Sequence, residues 1–214
     1  MKLFQLIPFK HNRKQHWERV YKKNKPDKLG WYQDHPEMSL KLVTATGVGV
    51  DGNIIDVGGG TSKLAGKLLD QGYKRLTVLD ISGSSIERTK LQHGEKSKQI
   101  TWIEADVTNF NFTESFDIWH DRAVFHFLTN ANDRQRYVDS LNHALKPGGH
   151  LIISTFGLKG PPKCSGLNIV RYSAETLHKE FGDNFVMIET FDEVHDTPSK
   201  DQQNFIYCRF TKRT

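Results

Sequence analysis

The stretch NIIDVGGGTSKLAGKLLDQGYKRLTVLDIS, residues 53–82, decides the fold of this chain. It opens with a short β-branched run, Asn53–Val57, which three glycines at 58–60 close, as is typical of a buried parallel strand. Apolar residues at helical spacing follow over 64–69, and a second apolar run then ends on Asp80. This order predicts a right-handed βαβ unit with a ligand crevice at the carboxyl ends of its strands.

The glycine loop and the acid after it indicate the kind of ligand. A dinucleotide-binding loop has its third small residue at position 63, where this chain has Lys63, and the G-K-[ST] of a phosphate-binding loop is absent. Asp80 lies about 20 residues past the glycines, where an acid accepts both hydroxyls of a ribose. The pattern favours a ligand with a ribose and no pyrophosphate over a nicotinamide dinucleotide. A tight strand-to-helix turn without any ligand is the alternative.

Length and composition favour one globular domain. The 214 residues are enough for an adequate core, and no apolar run is long enough to span a membrane. The opening residues 1–9 lack a small-residue cleavage site, so no signal peptide is expected. Cys164 and Cys208 are the two cysteines and form no CxxC pair, which predicts a cytoplasmic protein without a disulfide scaffold or a metal site.

The net charge of +5 and the pI of about 9.1 allow attraction to anionic partners. Basic residues cluster near the N-terminus, at Lys10, Arg13, Lys14, Arg19, Lys22, Lys23 and Lys25. No aromatic-interleaved RNA-binding motif accompanies them, so a solvated helix face is favoured over a nucleic-acid surface.

Beyond Asp80 the chain continues to alternate between helical and β-branched segments. The pattern predicts strands at 100–104, 115–120, 150–156, 185–190 and 204–210, and helices at 84–92, from Asn132 or Asp133 to about Leu145, and from Ser173 to about Phe181. Residues 146–149, Lys-Pro-Gly-Gly, are predicted to end the second of these helices abruptly. Because no helix separates the last two strands, they are predicted to be antiparallel.

Five segments in this order resemble the class I S-adenosylmethionine-dependent methyltransferases: DVGGGTS, VLDIS, EADV, FDIWHDRAVFHFL and LKPGGHLIIST. The resemblance implies an α/β Rossmann-like fold with a seven-stranded sheet, strand seven antiparallel between strands five and six, and helices on both faces. It also implies a single methyltransferase domain over 1–214, with an N-terminal helical lid segment at 1–45 and a catalytic core at 53–210.

The resemblance further implies that S-adenosylmethionine is the cofactor. In that family the glycine loop, here Gly58, Gly59 and Gly60, approaches the methionine half, and the first-strand acid, here Asp56, orders the loop or reaches the methionine amine. The acids after strands two and three bind the ribose and the adenine amino group. By the same matching these are Asp80 with Ile81, and Asp106 with Val107.

The methyl acceptor is the less determined part of the prediction. The tip of the fourth strand reads His120-Asp121-Arg122, without the [DNS]-P-P-[YFW] motif of base-amine methylation and without a Pro-Cys pair, which disfavours nucleic acid. Asp-Arg at this tip resembles thiopurine-type small-molecule enzymes. His120, Asp121 and Arg122 are therefore the candidate catalytic residues, with His120 either a general base and cofactor contact or a local hydrogen-bonding group. His126 is a weaker candidate.

The N-terminal aromatic residues point instead to METTL-type protein-lysine methyltransferases. Trp17 and Tyr21 fit that group's W-x-x-x-Y, or they only pack the first helix on the sheet. Trp31 and Tyr32 fit a lid over the cofactor. A small-molecule thiol or amine acceptor is ranked first, a protein lysine second, and a non-catalytic cofactor-binding scaffold third.

The long loop at 157–173 follows the fifth strand and is predicted to lie over the active site. Its acceptor-side candidates are Cys164, Arg171 and Tyr172, with His195 a further candidate from the connection between the last two strands.

Overall fold

The computed structural model describes residues 13–214; residues 1–12, which include the 1–9 segment and Lys10 considered above, lie outside the described part. The helices are α1 Arg13–Lys23, α2 Glu37–Ala45, α3 Leu64–Asp70, α4 Gly83–His93, α5 Ala131–Ala144 and α6 Ala174–Phe181. The strands are β1 Asn53–Val57, β2 Arg75–Asp80, β3 Ile100–Glu104, β4 Phe116–Arg122, β5 Leu145–Phe156, β6 Lys163–Cys164, β7 Leu167–Asn168, β8 Phe185–Asp196 and β9 Gln202–Lys212. Within this part of the chain no helix has both the length and the apolar character to cross a membrane.

Seven strands form one sheet in the order β3-β2-β1-β4-β5-β9-β8, and β6 and β7 form a separate small hairpin. The first five strands are parallel, and β9 runs antiparallel to both β5 and β8. The predicted Rossmann-like methyltransferase sheet is confirmed, with the reversed last strand between the fifth and the sixth of the main sheet. The strand order changes direction between β1 and β4, which is where such sheets bind ligands.

The sheet strands are buried on both faces because side chains alternate between two hydrophobic clusters. On β1, Ile54 packs with α2 and α3 while Ile55 packs on the opposite face with α5 and α6. On β4, Ile118 and Trp119 divide in the same way. This two-sided burial explains the near-continuous apolar runs of the sequence.

Several predicted boundaries were wrong. Helix α5 begins after Asn130, whose side chain accepts from the amide of Asn132, so the cap lies two residues before the earlier of the two predicted caps. Residues 146–149 form no separate turn, because β5 begins at Leu145, and the ladder with β4 is irregular there. The β6–β7 hairpin was not predicted, and both closing strands are longer than the apolar pattern indicated.

Helix α1 lies over the carboxyl edge of the sheet and is tied to it by charged side chains. Arg13 pairs with Asp106 at 3.0 Å, and Lys14 pairs with Glu104 at 2.5 Å. Glu18 accepts hydrogen bonds from the Ser84 amide and from the hydroxyls of Ser82 and Ser84, at the start of α4. A carboxylate at a helix N-terminus satisfies free amides and complements the helix dipole. These contacts hold α1 in place as the cover of the crevice described next.

Candidate cofactor and acceptor site

Two adjoining clefts open at the carboxyl edge between β1 and β4. The large cleft, of about 750 Å³ including its open mouth, has Asp80, Ile81, Asp106 and Val107 along its walls. The small cleft, of about 500 Å³, has Ser39, Asp56, Gly59, Lys63 and His120 along its walls. Trp31, Gly58 and Arg122 line both clefts. The topology therefore brings together the loop after β1 and the tips of β2 and β4, as the sequence predicted.

Asp80, at the end of β2, lines the large cleft and also holds the glycine loop. Its carboxylate accepts from the backbone amides of Gly60 at 3.0 Å and Ser82 at 2.8 Å. Burial raises the pKa of Asp80 to about 6, because desolvation of the charged form outweighs these hydrogen bonds. Asp80 thus holds the glycine loop in the fold. It also lines the cleft, where a ribose hydroxyl would donate to its carboxylate.

Asp106, the candidate adenine contact, is bound by other protein groups. One carboxylate oxygen pairs with Arg13 of α1 at 3.0 Å, and the other accepts from the amide and the hydroxyl of Thr108. Arg13 itself lines the large cleft. The cover helix therefore reaches the same acid that the resemblance assigned to the adenine amino group.

The three glycines are required by the protein's own side chains. A Cβ on Gly58, where φ is +71°, would come within 2.0 Å of a methyl of Val124. A Cβ on Gly59 would meet the Asp56 carboxylate at 2.3 Å, and one on Gly60 would meet Ser85 at 2.2 Å. The sequence argument that these glycines clear space for a ligand was incomplete, because the nearest obstacles to a side chain are protein atoms.

Asp56 and His120 form a buried pair beneath the small cleft. His120 Nδ1 lies 2.7 Å from Asp56 Oδ1, and His120 Nε2 lies 2.9 Å from the hydroxyl of Ser39 in α2. His120 is 2% exposed, and both ring nitrogens have protein partners. The second oxygen of Asp56, Oδ2, is buried without a hydrogen-bond partner. Such an orphaned acceptor is costly, and it is the atom that a ligand donor would satisfy.

Asp121 is placed differently from the expectation. It is 0% exposed, and its carboxylate accepts from the amides of Val124 and Phe125 and from the hydroxyl of Tyr137 at 2.6 Å. Burial raises its pKa to about 6. These bonds hold the turn after β4, in which Ala123 has a φ of +71°, a conformation that is strained for alanine. Asp121 therefore orders the turn, and its direct role in chemistry stays a prediction without geometric support.

Arg122 spans the two clefts. Its Nε donates to the hydroxyl of Tyr207 and its Nη1 to the carbonyl of Trp31, each at 2.9 Å. Its guanidinium lies over the ring of Phe205, 4.5 Å from the centroid. The remaining nitrogen, Nη2, is buried and makes no hydrogen bond, with the nearest carboxylate, Glu193, 3.8 Å away. The site thus has one unpaired buried donor to match the unpaired acceptor on Asp56.

Aromatic rings form the roof of the large cleft. Trp17, Tyr21, Trp31 and Phe127 contact one another mostly edge to face, with ring centroids 4.9–6.2 Å apart. Tyr21 is buried. Trp17 and Tyr21 were expected either to match the aromatic lid pattern or only to pack the first helix on the sheet. Both interpretations hold together, because the residues that pack α1 on the sheet also close the cleft. Tyr32 lines the small cleft.

The loop after β5 contributes less than expected. Cys164, in β6, lines the large cleft, and burial raises the pKa of its thiol. Arg171 donates to the carbonyls of Leu158 and Gly160, and the Tyr172 hydroxyl donates to Glu180. Arg171 and Tyr172 thus bind within the fold, and neither is among the residues that line the two clefts.

Two further histidines, His195 and His126, make hydrogen bonds within the fold. His195 Nε2 lies 2.9 Å from the carbonyl of Gly30 and so supports the loop that carries Trp31. His126 is fully buried and accepts from the Phe156 amide, and burial lowers its pKa to about 3. Among residues 13–214, no group of three His, Cys, Asp or Glu side chains is arranged as a metal site.

Sequence reasoning missed the residues that come from distant segments. Arg13, Ser39 and Tyr207 belong to α1, α2 and β9, and none carries a local motif. Arg13 was noted only as part of a basic cluster. For Ser39 and Tyr207 the sequence holds no signal, because their place depends on how the helices and the reversed strand pack.

Similarity to known families and proteins bears on the ligand of these clefts. The family described as "Methyltransferase domain" matches residues 55–153. Nodulation protein S of Rhizobium tropici is 28% identical over 160 residues, which cover 75% of this chain and 65% of that protein. An eEF1A lysine and N-terminal methyltransferase of Danio rerio is 25% identical, over 76% of this chain and 24% of its own length. The chain thus spans less than two thirds of either relative.

The crystal structure of the N-methyltransferase NodS from Bradyrhizobium japonicum WM9 in complex with S-adenosyl-L-homocysteine has the same fold. Its TM-score is 0.71 at 20% identity, covering 92% of this chain and 98% of that one. The family match, the similar proteins and the shared fold support a class I S-adenosylmethionine-dependent methyltransferase. These matches support S-adenosylmethionine as the cofactor.

The clefts of the methyltransferase fit that cofactor on their own geometry. The large cleft offers carboxylates for a nucleoside, at Asp80 and Asp106. The small cleft offers one unpaired carboxylate oxygen, on Asp56, and one unpaired guanidinium nitrogen, on Arg122. An amino-acid group carries an ammonium and a carboxylate, so it complements both orphaned atoms. The two clefts meet at Gly58, which matches a nucleoside joined to an amino acid without a phosphate.

Proposed function

We propose that this chain transfers the methyl group of S-adenosylmethionine to a small-molecule thiol or amine. The observation that carries the proposal is a pair of buried atoms on oppositely charged side chains, Asp56 Oδ2 and Arg122 Nη2, which line adjoining clefts and make no hydrogen bond. Buried polar atoms without hydrogen-bond partners are costly, which supports a ligand that bonds to both.

In this proposal specific residues bind each part of the cofactor. The adenine lies against Asp106 and Val107, the ribose donates to Asp80, and Ile81 packs beside the nucleoside. The amino-acid ammonium donates to Asp56, and Arg122 binds the carboxylate. Gly58, Gly59 and Gly60 keep the loop close enough for these contacts. Trp31 and Tyr32 cover the amino-acid end.

When bound, S-adenosylmethionine supplies a methyl group on a sulfonium, which needs no protein nucleophile. The protein then contributes alignment of the acceptor and exclusion of water. The roof of Trp17, Tyr21, Trp31 and Phe127 provides an apolar cover. His120 is not free to act as a general base, since Asp56 and Ser39 occupy its two nitrogens. An acceptor that arrives with a lone pair, such as a thiolate or a neutral amine, suits this arrangement.

The charged groups of the large cleft do not favour one acceptor over the other. Arg13 and Arg122 line it together with Asp80 and Asp106, so its positive and negative side chains balance. The similarity to a lysine methyltransferase favours the alternative, a METTL-type protein-lysine acceptor. A cofactor-binding scaffold without turnover is the third reading.

The test is an acceptor screen with a methyl-labelled donor. Thiols, primary and secondary amines, and a size-fractionated lysate are incubated with the protein and with an Asp80→Asn variant as the cofactor-binding control. Labelled low-mass product that depends on Asp80 is expected. A labelled protein band that releases methyl-lysine on hydrolysis would replace the proposal with the lysine reading. Cofactor binding without any labelled product would favour the scaffold.

A further inference from the structure

The cover loop, residues 29–36, lies over the small cleft and contains no helix or strand. Four of its residues line that cleft: Trp31, Tyr32, Gln33 and Pro36. Trp31 lines the large cleft as well. Because the cover loop has no backbone ladder of its own, its place over the site depends on contacts with other parts of the chain.

Two residues of β8 hold the cover loop by hydrogen bonds. His195 Nε2 lies 2.9 Å from the carbonyl of Gly30, and because a carbonyl can only accept, the imidazole donates. Glu193 Oε1 accepts from the side-chain amide of Gln33 at 3.3 Å. Glu193 and His195 lie two positions apart on one strand, so their side chains share one face of the sheet.

Both residues belong to the part of β8 that the sequence pattern did not predict. The pattern ended this strand at residue 190, whereas β8 continues to residue 196 and pairs there with β9. Across this pair, Phe205 lies opposite Glu193 and Gln203 lies opposite His195, which places all four side chains on the same face. The additional length of the strand therefore brings a row of side chains to the cover loop.

Arg122 connects this row to the ligand site. Its guanidinium lies 4.5 Å from the ring centroid of Phe205, and its Nη1 donates to the carbonyl of Trp31 at 2.9 Å. Its Nη2 lies 3.8 Å from a Glu193 oxygen and makes no hydrogen bond. In the proposed function, Arg122 binds the carboxylate of the cofactor. The cover loop, the β8–β9 pair and that carboxylate thus meet at one guanidinium.

We infer that His195 and Glu193 are positioning residues that hold the cover loop over the amino-acid end of the cofactor. The inference rests on the proposed function, in which Trp31 and Tyr32 cover that end. Neither His195 nor Glu193 is among the residues that line the two clefts, so both act through the loop. A loop that is already held in its bound position lowers the ordering cost of binding.

The test compares two ligands that differ in the amino-acid end. S-adenosylhomocysteine has the ammonium and the carboxylate, whereas 5′-methylthioadenosine lacks both. His195→Ala is expected to weaken the first ligand by about 3- to 10-fold, the range for one lost hydrogen bond, and to leave the second unchanged. His195→Gln keeps a side-chain donor and is expected to recover most of the affinity.

His178→Ala is the matched control for His195. Its Nε2 lies 2.8 Å from the carbonyl of Phe185, so the variant removes the same kind of bond at the opposite end of β8, away from the cover loop. It is expected to leave the affinity for both ligands unchanged. A loss in His178→Ala equal to that in His195→Ala would assign the effect to the strand and overturn the inference.

Glu193 needs a double-mutant cycle, because Glu193→Ala removes a charge 3.8 Å from Arg122 as well as the contact with Gln33. The effect of Glu193→Ala on S-adenosylhomocysteine affinity is measured in the wild-type protein and in Gln33→Ala. If the two residues act through one contact, the two effects are expected to differ by about twofold or more. Equal effects in both backgrounds would remove Glu193 from the support of the loop.

Three results of the ligand comparison would overturn the role of His195: equal weakening of both ligands in His195→Ala, no weakening of either, or no recovery in His195→Gln. A wild-type protein that binds neither ligand would instead reject the proposed function. If His195→Ala does not fold, the cycle between Glu193 and Gln33 decides alone.

Discussion

Lowering the pH is expected to weaken cofactor binding through Asp80. Burial raises the pKa of this carboxyl to about 6, and the ionised form is the one that accepts two ribose hydroxyls well. When only the ionised form binds, affinity is nearly constant at about pH 8 and falls about twofold at pH 6. At pH 5 the loss reaches about tenfold, or about 1.4 kcal/mol.

Titration calorimetry with S-adenosylhomocysteine measures this directly. Below about pH 6 binding should release a proton, so the measured heat should change with the ionisation enthalpy of the buffer. The raised pKa has the opposite sign for folding. Its contribution to stability is present below the ordinary carboxyl pKa and is lost as the pH rises through about 6.

Asp121 provides a matched control because burial also raises its pKa to about 6, yet its carboxylate binds only protein donors. Asp121→Asn should keep the pH dependence of binding, whereas Asp80→Asn should bind weakly at every pH without the slope. A wild-type affinity that stays flat from pH 8 to 5, or an unchanged slope in Asp80→Asn, would refute the assignment of the ribose to Asp80.

Three further changes probe other parts of the site. Gly58→Ala should lower the unfolding midpoint as well as cofactor affinity, because φ is +71° and the new Cβ meets Val124; a normal melting curve would contradict this. Arg13→Gln should remove the ion pair with Asp106 and raise the dissociation rate of S-adenosylhomocysteine, measured by stopped-flow fluorescence, with an unchanged rate counting against the cover role of α1. Cys164→Ser should change the KM for the acceptor while sparing cofactor affinity, and the reverse pattern would place Cys164 on the cofactor side.

The parallel core could be predicted because its signals are local. The β-branched run before Gly58 and the acid that ends β2 occupy adjacent strands, and two-sided burial makes such strands apolar throughout. The reversed last strand followed from the missing helix between the two final β segments. Helix ends were less certain, since Asn130, Asn132 and Asp133 are all competent caps and packing selects among them.

The site could be predicted only where a motif carries the residue. Asp56 and Asp80 lie at the carboxyl ends of β1 and β2, and Asp106 follows β3, so their place at one edge of the sheet was foreseeable. The environment of Asp121 was not, because its three donors come from the following turn and from Tyr137 on α5. Ser39 was equally hidden, since its contact with His120 joins segments 81 positions apart.

The hold of Glu18 on the start of α4 has a practical consequence for any shortened version of this chain. Removal of α1 would look harmless, since the sheet and the two hydrophobic clusters are built from residues that follow α1 in the sequence. Yet Glu18 is a partner of the Ser84 amide and of the Ser82 and Ser84 hydroxyls, at the turn that follows Asp80. In a truncated chain the Ser84 amide and the Ser82 and Ser84 hydroxyls, at the start of α4, would therefore lose this partner. These groups lie next to Asp80, the acid assigned to the ribose. The N-terminal helix should accordingly be treated as part of the smallest folding unit, and not as a detachable leader.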